Sequence, residues 1–131
     1  MTPQREEAER WMRLAKRDQA ALSALLNTVD PAVACFHAQQ AAEKALKAVM
    51  CLHGLEFCRT HDLEALASML KDIDVVPPMD EHHLRCLTPY AVEFRCDDEA
   101  MHLISGDAAG RVISSLLAWA EEDIASHRDT L

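Results

Sequence analysis

At 131 residues, half of them apolar, with three glycines and 5% aromatics, the chain suits one helical domain (1–131) with a core of Leu and Ala. Thirteen Lys and Arg against 22 Asp and Glu give a formal charge of −9, opposite to the basic surface that phosphate neutralisation asks of a nucleic-acid reader, although a small basic site stays compatible with it. Five scattered cysteines exclude an even disulfide framework. With charges throughout the first 30 residues and no apolar run near ~18 residues, the expectation is a cytoplasmic protein with reduced thiols and no membrane association.

Residues 4–28 carry Trp11, Leu14, Asp18, Leu22, Leu25 and Val29 at helical spacing, with Ala15 and Leu26 widening the stripe. Arg5, Arg10, Arg13, Lys16 and Arg17 crowd its first half, but Glu6, Glu7 and Glu9 are interleaved, as on a solvated face with ion pairs. Asp30-Pro31 reads as a cap followed by proline in the first turn, opening a second helix that runs to about His53 and stops at Gly54. Ala41, Ala45, Ala48 and Leu52 share one face of it, small enough for a close neighbour, with His37, Gln40 and Lys44 along the edge.

Thr60 or Asp62 caps a short third helix bearing Leu63, Leu66, Ala67 and Leu70. After the non-helical Val75-Val76-Pro77-Pro78, a fourth helix starts near Asp80 and buries Leu84, Leu87, Ala91 and Phe94. Pro89 must kink it. Residues 103–107 break the chain, and Asp107 caps a last helix whose core side is Ile113, Leu116, Leu117, Ala120 and Ile124. The fold class expected is all-α: an up-and-down antiparallel bundle of four long helices and one short one.

Few residues offer chemistry. Cys51, His53, Cys58 and His61 are four soft ligands, but Cys51 and His53 lie two apart at a helix end and point to different sides, so no metal is expected. His82 and Cys86 make only a pair. There is no nucleophile elbow, glycine-rich phosphate loop or His-Glu-x-x-His, and no cofactor is expected.

Three stretches carry more information: FHAQQAAEKALKAVMCLHG (36–54), THDLEAL (60–66) and LTPYAVEFR (87–95). In that order and at that separation, over residues 4–127, the chain resembles the HEPN family (higher eukaryotes and prokaryotes nucleotide-binding domain), best its stand-alone bacterial and archaeal branch. The resemblance implies a helical bundle, a homodimer, and association with a small nucleotidyltransferase, often as a toxin–antitoxin pair. Some members of the family are metal-independent endoribonucleases; others bind nucleotides or serve as partners.

The nuclease members carry an Arg and, four to six residues on, a His; Arg95 and His102 are similar, as R-x6-H. The guanidinium would grip the scissile phosphate, and the imidazole would take the ribose 2′-proton. Tyr90 could stack a base, and Lys44 or Arg95 could hold a phosphate. Against catalysis, Cys96 follows Arg95 where the family commonly has a polar residue. Asp97, Asp98 and Glu99 also stand between the pair and would repel substrate. The reading is therefore a non-catalytic or weakly active dimeric partner of a nucleotidyltransferase, with endoribonuclease and nucleotide-binding module as the alternatives.

Overall fold

The computed structural model describes residues 2–26, 31–56, 60–91 and 105–127. Among these lie helices α1 (Pro3–Leu25), α2 (Pro31–Leu52), α3 (Leu63–Lys71) and α4 (Glu81–Leu87). A 3-10 turn at Thr88–Ala91 follows, and then α5 (Gly106–Ser126). No strand occurs among the described residues, and the all-α bundle is the fold. No helix among them is long and apolar enough to cross a membrane.

Cross-helix contacts set the directions. Gly54 lies beside Gln4, and His37 and Lys44 meet Asp18, so α1 and α2 are antiparallel. Arg5 donates to the His127 carbonyl and Lys16 pairs with Glu121, so α1 is antiparallel to α5 as well. His53 meets Asp123, which leaves α2 and α5 parallel.

The α2 helix is the axis. Ala34, Ala38, Ala41, Ala42, Ala45 and Ala48 are all buried there, because methyl-sized side chains let helices approach from several sides. Leu46, Val49 and Met50 widen this apolar surface to more than half of the helix's circumference. On α5 the five expected core residues are all buried. On α1 the buried line is Ala8, Met12, Ala15 and Leu22, while Trp11, Leu14 and Leu25 sit half-buried on its shoulders.

Chain punctuation follows local chemistry. Gly54 takes φ +71, so its N–H returns to Cys51 and the Leu55 N–H to Met50, closing α2 with a Schellman pair. The same two bonds close α3, Asp74 to Lys71 and Val75 to Leu70, with Asp74 at φ 63 in the glycine position. Asp62 caps α3, and Thr60 accepts from the Asp62 N–H. The last helix departs from expectation: Ser105 is its cap, accepting from the Ala108 N–H, and Asp107 lies inside the first turn. At the Pro89 kink the backbone tightens to 3-10 form, since proline has no N–H to give the α-helical ladder. Thr88 bridges there, donating to the Leu84 carbonyl and accepting from the Leu63 N–H.

Candidate functional site

Two polar clusters interrupt the apolar surroundings of α2. Gln39, Glu43 and Lys47 recur at helical spacing on one flank, with exposures of 0%, 6% and 8%. Burying a carboxylate is costly unless its oxygens are occupied. Glu43 Oε1 receives Gln39 Nε2 at 3.2 Å and stands 2.7 Å from His61 Nδ1; Lys47 Nζ reaches Oε2 at 2.9 Å. Burial acts to raise the Glu43 carboxyl, but the bonds from His61, Lys47 and Gln39 together outweigh it and hold the group below its ordinary range. Gln39 also donates to the His61 carbonyl and accepts from Gln40, and the Lys47 ammonium stands 5.6 Å from the Trp11 ring centre.

The second cluster joins α1 to α2. Asp18 Oδ1 meets His37 Nδ1 at 3.0 Å, while Oδ2 accepts from Lys44 Nζ. Lys44, expected as a phosphate ligand, is thus neutralised by a neighbouring helix, and His37, Gln40 and Lys44 are the hydrogen-bonded edge of the core. Tyr90, expected to stack a base, is 1% exposed inside the core, so its ring offers no free face in this fold. Arg95 and His102, the R-x6-H pair, lie outside the described residues, as do Phe94, Cys96 and Cys58. The remaining soft ligands diverge: His53 Nε2 meets Asp123 at 2.9 Å, whereas His61 turns to Glu43. Burial pushes the Cys35 and Cys51 thiols up, away from reactivity.

The column of Gln39, Glu43 and Lys47 was not singled out from sequence. Charged residues four apart resemble a solvated face, and no local pattern marks these as enclosed.

A helical bundle with an alanine-rich axis and polar clusters on its flanks defines the class of protein. The sequence matches the HEPN domain over residues 8–126, and the chain belongs to that family. Its fold is similar to the crystal structure of an archaeal HEPN homologue, with a TM-score of 0.59 at 22% identity, covering 90% of this chain and 98% of that one. No curated protein matches the sequence.

Proposed function

We propose that this HEPN chain is a single-domain, non-catalytic or weakly active partner protein. It forms a homodimer and acts in the cytoplasm with a small nucleotidyltransferase, in a toxin–antitoxin-like pair. The observation that carries the reading is the commitment of two candidate ligand residues to the fold: Asp18 neutralises Lys44, and Tyr90 is core. The −9 charge also disfavours a general affinity for RNA. The rival is a metal-independent endoribonuclease built on Arg95 and His102, favoured by their order and spacing in the sequence.

The test pairs two measurements. Light scattering of the purified chain is expected to give a dimer; a 14.6 kDa species at micromolar concentration contradicts that part. Incubation with end-labelled RNA in EDTA is expected to give little cleavage. Strong cleavage that Arg95→Ala and His102→Ala both abolish establishes the nuclease instead. The adjacent gene is expected to encode a small nucleotidyltransferase whose co-expression yields a stable complex; separate elution removes the partner role.

A further inference from the structure

The connector from α3 to α4 divides its apolar side chains between two sides. Val75 and Met79 pack against the core and Pro77 is buried, whereas Ile73, Val76 and Pro78 stand outside. Ile73 and Val76, at 40% and 58%, are the two exposed large apolar side chains among the described residues. The turn explains the division. The Val75 N–H returns to Leu70, which draws Val75 back over α3, and alternate residues then face outward as far as Asp80.

Acid surrounds this outer row. Asp72, Asp74 and Asp80 are all exposed beside it. Asp80 caps α4 and stands against His83, and the Lys71 ammonium is taken by Glu81 at 2.7 Å. Asp72 and Asp74 have no ion pair among the described residues, so their charge is left uncompensated. The apolar surface continues into a groove of about 350 Å³ walled by Pro78, Met79 and Val112. Arg111 enters that groove from α5, so the acidic side of the surface is the one at Asp72 and Asp74.

Charge separates the candidate occupants. Two-fold pairing of this face would set the aspartates of one copy against those of the other. Anionic lipid and nucleic acid would bring more negative charge. A cationic protein segment brings the opposite charge, and aliphatic side chains among its lysines match Ile73 and Val76.

We propose that the outer face of this connector docks a cationic, amphipathic segment of another protein. The partner's apolar side chains cover Ile73, Val76 and Pro78, and its Lys or Arg residues meet Asp72 and Asp74. None of Asp18, Lys44 and Tyr90, on which the partner reading above rests, belongs to this face. Either can therefore fail alone.

The probe is a fluorescent amphipathic peptide of Leu and Lys, about 14 residues long, read by anisotropy against the intact chain. Saturable binding is expected with a Kd on the order of 10–100 μM. Ile73→Ser/Val76→Ser changes no charge and should weaken binding at least tenfold. Asp72→Asn/Asp74→Asn should weaken it at least threefold, asparagine being tolerated at the left-handed Asp74 position. Glu6→Gln/Glu122→Gln removes the same charge near the other end of α5 and should change affinity less than twofold. All three variants alter exposed side chains, and their circular dichroism should match that of the wild type. Four results overturn the proposal. The first is no saturation up to about 1 mM peptide. The second is wild-type affinity in the serine variant, which assigns the attraction to whole-molecule charge. The third is equal binding of a peptide of Leu and Glu. The fourth is a dimer that the serine variant turns into a monomer, which assigns the face to a second copy.

Discussion

Two places beside α2 hold the same trio of groups, a carboxylate with a lysine and a histidine, in different surroundings. Asp18 meets Lys44 and His37 at the seam between two helices, with side-chain exposures of 13%, 23% and 28%. Glu43 and Lys47 are more enclosed, at 7% and 10%, and their histidine, His61, reaches in from an exposed position before α3. The first cluster fixes how two helices sit together. The second satisfies itself within one helix and ties down a loop. Equal chemistry therefore has unequal worth, because water can replace a lost partner at the first site far better than at the second.

Removing the enclosed carboxylate should have the largest effect. Glu43→Ala leaves Lys47 charged and buried, and urea unfolding should show a loss of about 3–5 kcal/mol. The double variant Glu43→Leu/Lys47→Met removes both charges and should recover most of that loss; if it falls further than the single variant, the cluster is worth more than its charge balance. Asp18→Ala should cost less, about 1–3 kcal/mol, because Lys44 and His37 can turn to solvent. An equal loss at the two sites would show that their different enclosure does not matter.

Acid sharpens the comparison further. The Glu43 carboxyl is held below its ordinary value of 4.5, so its contribution is complete above that value and disappears as pH falls through the lower folded value. Unfolding midpoints measured from pH 6 down to about pH 3 should fall more steeply for the wild type than for Glu43→Gln. The smallest effect belongs to the surface. Arg85 grips Glu64 in a bidentate pair at 3.2 and 3.0 Å, yet Arg85→Gln should leave the urea midpoint unchanged within error, since solvent screens the pair.

The sequence made the helices legible wherever one face was apolar. On α5, Ile113, Leu116, Leu117, Ala120 and Ile124 were identifiable because their neighbours are polar, and Gly54 was identifiable as a stop because a left-handed residue closes a helix there. Ser105 was passed over as the cap because Asp107 has equal capping chemistry two residues on, and only the backbone chooses between them. Tyr90 looked like an exposed aromatic, and its burial depends on how the Pro89 turn aims it. Glu43 and Lys47 are polar by composition but enclosed by packing, which no local pattern encodes. Arg95 and His102 were visible as a motif, and their geometry lies outside the described residues.

The central position of α2 also bears on how the chain is made. Its two main helical neighbours are α1, which leaves the ribosome before it, and α5, which leaves well after it. An α1–α2 hairpin can form early from contacts near in sequence, but the side of α2 that packs on α5 stays open until Ile113 to Ile124 emerge. That side of α2 must therefore stand open while residues 53–112 are made. A strip of methyl groups is a poor target for nonspecific capture, because each contributes little area. An alanine-rich axis keeps the unfinished chain less adhesive while still allowing tight closure at the end.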